Sequence, residues 1–239
     1  MVVKNGMPLL KQAIQSYKNQ TYKNKELLVI YSNSIDQTEN CIQNNKKIMS
    51  KIIKDYKSKN KFTPLNIGIK HAKGDIVGIL HADDLYPDKN VLKKVVNYFN
   101  ITNADIIYGN ALFCSLKDEK KIVRKWKSEI FKKSKLKYGW MPPHTTVYVK
   151  KKLLKKNLYP INYPISGDYK FILNLFFKKK LNIKYLNEYL CKMRVGGDST
   201  KISNFLKKFL EDFKITREYF KFSLITVIFK ILRKLPQFF

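Results

Sequence analysis

At 239 residues and 28.2 kDa, the chain has the length of one α/β domain with a modest extension. A hydrophobic content of 44% supplies a real core and excludes the disordered class. The net charge of +30 attracts anionic partners. Only Arg124, Arg194, Arg217 and Arg233 carry the planar fork that nucleic-acid readers favour, so no nucleic-acid partner is expected and the lysine excess reads as composition bias.

In chain order, Pro8 to Gln20 carries Leu9, Leu10, Ala13, Ile14 and Tyr17 at helical spacing behind an initial proline. Glu26 to Tyr31 is a β-rich run between polar turns and predicts a buried strand. A loop follows over Ser32 to Asp36, then a helix over Thr38 to Met49 capped by Asp36, and a brief strand over Lys51 to Ile53. Thr63 to Ala72 predicts a helix closed by Gly74, Asp75 to Leu80 a strand, Asn90 to Asn100 a helix, and Asp105 to Tyr108 a strand. This alternation predicts βαβ units with a mostly parallel sheet in the first half. The second half is less regular, with extended runs near Ala111 and Ile122, a loop over 139–144 and a helix from Asp168 to Lys178. Cys41, Cys114 and Cys191 are odd in number and far apart, which indicates neither a disulfide framework nor a zinc site and fits a reducing compartment. Met1 to Lys11 lacks the apolar core of a signal peptide, so a cytoplasmic location is expected.

Asp83 and Asp84 end the apolar run that begins at Ile76, in a chain with only 18 acidic residues. Two adjacent carboxylates repel unless a cation or strong donors sit beside them. A divalent metal shared with substrate phosphates would answer that, and so would a cap for the helix that begins near Asn90. Ligands of open α/β sheets bind beyond the carboxyl ends of the strands, where the loops at 32–36 and 81–86 both fall on this reading. That convergence favours the metal.

The order of motifs resembles a family-2 glycosyltransferase of the GT-A fold, its bacterial polysaccharide-assembly branch above all. The residues that carry the likeness are Gln20-Thr21-Tyr22-Lys23-Asn24, Ser34-Ile35-Asp36-Gln37-Thr38, Asn66-Ile67-Gly68, Ala72-Lys73-Gly74-Asp75 and His81-Ala82-Asp83-Asp84. Further along, Pro143-His144-Thr145-Thr146, Gly167-Asp168-Tyr169 and the loop from Met193 to Ser199 resemble later segments of the family. The resemblance implies an α/β fold with a Rossmann-like, mostly parallel sheet flanked by helices, in a domain over 1–200 followed by a basic amphipathic helical extension over 201–239. It also implies an inverting transfer of sugar from a nucleotide-sugar donor, UDP- or GDP-linked, to a glycan or lipid-linked acceptor, assisted by Mn2+ or Mg2+.

By position in that family, Asp84 is the expected metal ligand and Asp83 a second ligand or a ribose or sugar contact. Asp168 is the expected catalytic base, with a helix cap as its other reading. Tyr31, Asp36, Asn66, His144 and Arg194 complete the expected donor contacts. Asp36 reads equally as a cap, His144 as a loop histidine, Arg194 as a surface ion pair and Trp140 as either a sugar platform or a buried aromatic. Two departures stand out. The first strand is shorter than the family's, which predicts a truncated start, and Tyr31 replaces the aspartate expected to read the base.

The segment 220–239 is too broken by Lys221, Lys230, Arg233 and Lys234 to span a bilayer. Ser223, Thr226, Lys230, Arg233 and Gln237 share one helical stripe opposite a wide apolar face. That pattern fits an interfacial helix on an anionic membrane at the cytoplasmic face, or a helix packed on the domain. Two other functions fit parts of the chain. A metal-dependent nucleotidyltransferase would use the aspartate pair but leave Asp168 without a task, and a non-catalytic basic protein of the same fold would bind nucleic acid or acidic glycan.

Overall fold

A computed structural model describes residues 1–178, 180–196 and 204–233. The first half follows the alternation of its sequence. Strand β1 (Val2–Val3) leads to helix α1 (Leu9–Lys18), which buries Leu10, Ala13, Ile14 and Tyr17. Strand β2 (Leu28–Tyr31) is followed by α2 (Thr38–Asn44), and β3 (Lys51–Lys54) by α3 (Phe62–His71). These three strands form a parallel sheet in the order β1-β2-β3, with Val2 opposite Ile30 and Ile30 opposite Ile53.

The strand expected over Asp75 to Leu80 contracts to β4 (Ile76–Val77). It pairs with β7 (Tyr148–Lys150) and not with β1. Gly78 lies so close to the Tyr148 ring that a Cβ there would come within 2.4 Å, so the chain leaves the ladder at that point. A cavity of about 100 Å³ is lined by Val2, Leu28 and Ile30 of the first sheet, by Val77 of the second, and by Glu26, Leu65 and Ile79. Beyond β4, helix α4 (Val91–Thr102) leads into the long strand β5 (Ile106–Cys114), and β6 (Ile122–Trp126) turns back on it. Strand β5 pairs antiparallel with β6 and β7 and parallel with β8 (Ile183–Arg194). The parallel sheet flanked by helices is therefore present, and the second half adds a mixed five-stranded sheet.

A 3-10 turn over Lys133–Tyr138, the short α5 (Lys151–Leu154) and α6 (Gly167–Phe176) cover the second sheet. The main core lies here, with Tyr108, Trp140, Phe171 and Phe176 buried together. Two helices close the described chain, α7 (Phe205–Arg217) and α8 (Ser223–Leu232). They are docked on the domain rather than trailing from it. Glu211 of α7 accepts from the backbone N–H groups of Ile165 and Ser166, just ahead of α6, at 3.0 and 2.7 Å. Thr226 Oγ1 of α8 donates to the Lys137 carbonyl at 2.7 Å. Gly139 has φ +68°, and a side chain there would meet the Lys230 backbone at 2.4 Å, so this turn requires glycine twice over. No helix among the described residues is long and apolar enough to cross a membrane.

Candidate active site

The loop after β4 carries His81, Asp83 and Asp84, and an isolated bridge fixes its depth. Leu85 N–H donates to the Lys192 carbonyl at 2.9 Å, and Lys192 N–H returns the bond at 2.8 Å. Asp84 is thereby pressed against the end of β8 and is only 3% exposed. Its carboxyl accepts from Cys191 and from the backbone N–H of Arg194, while Oδ2 has no partner among the described residues. Burial, reinforced by the charge of Asp83, pushes the Asp84 carboxyl well above the usual carboxylate range. Asp83 beside it is half-buried.

A buried carboxylate oxygen without a donor calls for a partner from outside the protein. Among the described residues no three acidic, histidine or cysteine side chains converge to hold a metal alone. Two carboxylates suit a hard cation whose remaining ligands are water and diphosphate oxygens, so the donor set fits Mn2+ or Mg2+ shared with a nucleotide.

Two residues before Asp83, the His81 ring begins a chain of contacts that ends at Asp168. His81 Nε2 lies 2.9 Å from His144 Nε2, and His144 Nδ1 lies 3.4 Å from Asp168 Oδ2. Burial lowers both histidines, His81 to about 3, so both rings are neutral at pH 7. One of the two Nε2 atoms then carries the proton that the other accepts. Asp168 sits in the first turn of α6, where its Oδ1 accepts only the N–H of the next residue, Tyr169, at 2.8 Å. It therefore does not act as the helix cap. Burial raises the Asp168 carboxyl, but His144, Lys61 and Lys230 outweigh it and hold the group below the usual carboxylate range. Asp168 is ionised and a quarter exposed, the state a proton acceptor needs. Gly167 lets α6 start against the Phe62 ring, which a Cβ would meet at 2.5 Å.

The remaining expected contacts divide. Asp36 joins the loop after β1 to the loop after β2: Oδ2 accepts from Met7 N–H at 2.9 Å and Oδ1 from Thr38 N–H at 3.0 Å. Asn66 is a correction. Its amide clamps the backbone of Tyr159 at 2.8 Å in both directions, so neither end is left for a nucleotide. Tyr31 is also a correction, because its ring is 5% exposed and packs in the core of the first sheet, out of reach of a stacking base. Its hydroxyl donates at 3.0 Å to Glu39, which also pairs with Lys54 at 2.9 Å. A carboxylate thus does stand at the end of β2, supplied by α2. Arg194 is buried, with its terminal nitrogens bound to Gln12, the Leu116 carbonyl at 3.3 Å and Glu119 at 3.4 Å and its Nε without a partner among the described residues. Trp140 is a buried aromatic, edge-on to Tyr108 at 5.6 Å. The loop residues from Gly197 to Ser199 lie outside the described residues.

His81 lies inside the His81-Ala82-Asp83-Asp84 motif, which by itself gives it no role. Lys61, whose charge acts on Asp168, and Glu39, at the Tyr31 hydroxyl, have no signal in the sequence, since only the fold brings them to these places.

The sequence model of the family described as Glycosyl transferase family 2 matches residues 1–160. An uncharacterized glycosyltransferase of Haemophilus influenzae is 31% identical over 231 residues, covering 92% of this chain and 86% of that protein. Another from Methanocaldococcus jannaschii is 26% identical over 229 residues, covering 89% of this chain and 74% of that one. Among solved structures, residues 1–349 of Staphylococcus aureus TarS superpose with a TM-score of 0.72 at 15% identity, covering 98% of this chain and 70% of that one. The same TarS fragment in complex with UDP-GlcNAc gives 0.71 at 16% identity, over 91% and 65% of the two chains. The mannosyltransferase PcManGT from Pyrobaculum calidifontis, in complex with GDP-Man and Mn2+, gives 0.67 at 14% identity over 98% and 73%. At such identities the structural likeness establishes the GT-A fold. The chain spans 38% of the longer TarS chain.

Proposed function

This chain belongs to glycosyl transferase family 2, and from that premise we propose that it moves a sugar from a UDP- or GDP-linked donor to a hydroxyl of a glycan or lipid-linked acceptor, with inversion, in cell-surface polysaccharide assembly. The observation that carries this reading is the run of contacts from His81, two residues ahead of Asp83, through His144 to an ionised Asp168. Asp168 takes the proton of the acceptor hydroxyl as that oxygen attacks the anomeric carbon. The bond from the anomeric carbon to the diphosphate oxygen breaks on the opposite face, and the leaving nucleoside diphosphate carries off the negative charge. Asp83 and Asp84 would hold Mn2+ or Mg2+, which when bound neutralises that developing charge. His144 orients Asp168 through Nδ1, and Lys61 adds a positive field at the same point. The half-exposed Glu39 stands where an acceptor for a base N–H is wanted, and Asp36 holds the loop beside it. Three buried free cysteines accord with a cytoplasmic site of action.

The test is transfer from UDP- and GDP-sugars with and without manganese, paired with calorimetry of the free nucleotide. Asp168→Asn should abolish turnover and leave donor affinity nearly intact, because a base engages the acceptor only as it reacts. Turnover within about tenfold of the parent, some 1.4 kcal/mol of barrier, would remove Asp168 from this role. Nucleotide affinity that ignores the metal and survives Asp84→Ala would remove the cation.

A further inference from the structure

Helix α8 is inside out. Its stripe of Ser223, Thr226 and Lys230 is buried against the domain with one apolar residue, Val227, while Leu224, Ile225, Ile228, Phe229 and Leu232 are each 40–50% exposed. A surface helix of a globular protein turns the other way, apolar stripe inward. The inversion is locked in place. Lys230 Nζ donates to Asp212 Oδ1 at 2.7 Å and lies 3.4 Å from the centre of the Tyr169 ring, and Thr226 reaches the Lys137 carbonyl at 2.7 Å. Phe222 just before the helix is 66% exposed, and Phe205, Leu206 and Leu210 of the adjoining α7 are also on the surface. An apolar surface of this extent marks a contact with something other than water.

The charges around it say what. Residues 204–233 contain three acidic side chains. Glu211 and Asp212 are buried, and Glu218 is tied to Lys170. The other exposed charges of this segment are basic: Lys207, Lys214, Arg217 and Lys221, while Arg233 pairs with Glu129 at 3.4 Å. We propose that the outer face of α8 docks on an anionic lipid surface, its apolar side chains entering the acyl boundary and the basic residues meeting headgroups. A second copy of this chain would bring another +30 of net charge against the same patch, which disfavours self-association there. The ten-residue helix is too short to cross a bilayer and would lie flat on it. Because Lys230 also covers Tyr169, the neighbour of Asp168, docking would fix the orientation of α6 relative to the bilayer. A lipid-linked acceptor would gain from that. The docking itself does not depend on the transferase reading.

The experiment is sedimentation of the full chain with vesicles of phosphatidylglycerol and phosphatidylcholine, and with phosphatidylcholine alone, across a salt series. The parent should bind the anionic vesicles, lose binding as salt rises, and ignore the neutral ones. Ile225→Glu with Ile228→Glu, at exposed positions, should weaken binding by at least about tenfold while leaving the melting temperature near that of the parent. Lys214→Glu with Lys221→Glu should weaken it several-fold and flatten the salt dependence. Equal binding by parent and both variants would overturn the proposal, as would equal binding to neutral vesicles. A dimer in light scattering that the isoleucine variant dissolves, with no vesicle binding by the parent, would assign the face to a second copy instead. Because binding rather than turnover is read, failure here leaves the transferase reading untouched, and an inactive enzyme that binds vesicles leaves the docking intact.

Discussion

Helices α1 and α8 are both ten residues long and both amphipathic, yet they face opposite ways. In α1, Leu10, Ala13, Ile14 and Tyr17 are buried and Lys11, Gln12, Gln15 and Lys18 look outward. In α8 the polar stripe is buried and the apolar one looks outward. A helical repeat of apolar residues says that two unlike environments flank the helix, and not which of them is the protein. For α1 the answer comes from the sheet beside it, whose apolar β2 needs cover. For α8 it comes from Asp212, buried one helix away, which the polar stripe supplies with the Lys230 cation.

The largest effect expected from breaking this arrangement follows from that pair. Lys230→Ala leaves Asp212 buried without its partner and should destabilise the fold by about 3–5 kcal/mol. For a chain of this length that is a melting temperature lower by roughly 6–20 °C in calorimetry. Replacing both partners, Asp212→Leu with Lys230→Met, should recover most of the loss, since no lone charge then remains. In α1 the matching change is Ile14→Ala, at 2% exposure, with an expected cost of about 2–5 kcal/mol from the cavity it opens. A Lys230→Ala loss below about 1 kcal/mol would mean that α8 is not held by its polar stripe, and the contrast with α1 would collapse.

Much of the fold and part of the site are legible in the amino-acid order alone. The periodic segments of α1, α4 and α6 and the apolar runs of β2 and β5 each match one environment per face, so local pattern suffices. The order of short motifs marks the family, and His144 and Asp168 do come together, with His81 against them. The expectations that fail depend on partners distant in sequence. Asn66 is taken by Tyr159, 93 residues away, and Arg194 by Gln12, 182 residues away. No local pattern announces such pairings. Tyr31 holds the position of the family's aspartate, but its ring turns into the core and the carboxylate arrives from α2 as Glu39. The strand after Asp75 is short because Gly78 must pass the Tyr148 ring, a crowding visible only in three dimensions.

A middle-sized effect separates the buried charge of α8 from the buried neutral groups of the site. His81 and His144 are held neutral, with His81 lowered to about 3 from an ordinary 6.5. On account of these rings unfolding takes up protons at any pH below about 6.5 and above the folded values, so their contribution to stability rises with pH across that window, while the raised Asp84 carboxyl works in the opposite sense above its unfolded value. Stability from these rings is fully present above about pH 6.5 and declines as acid is added, by at most about 1.4 kcal/mol per pH unit for each ring. Urea midpoints at a series of pH values should carry this component, and His81→Gln should reduce it. An unchanged slope in that variant would place the proton uptake elsewhere.

The smallest effect is the most discriminating for the two helices. Ile228→Gln puts a polar side chain on the outer face of α8, where the parent isoleucine is 45% exposed and its removal opens no cavity. The expected change in stability is within about 0.5 kcal/mol in either direction. The same substitution at Ile14 buries an amide without partners and adds that desolvation penalty of roughly 1–3 kcal/mol to the cavity cost. Chemical denaturation of the two single variants, with the parent alongside, makes the comparison at constant chemistry. If Ile228→Gln costs as much as Ile14→Gln, the face of α8 is already covered within the protein and is not available to a lipid surface. If it costs nothing and the vesicle binding falls, the stability of the fold and the retention of that apolar face have separate causes, the first internal and the second a partner.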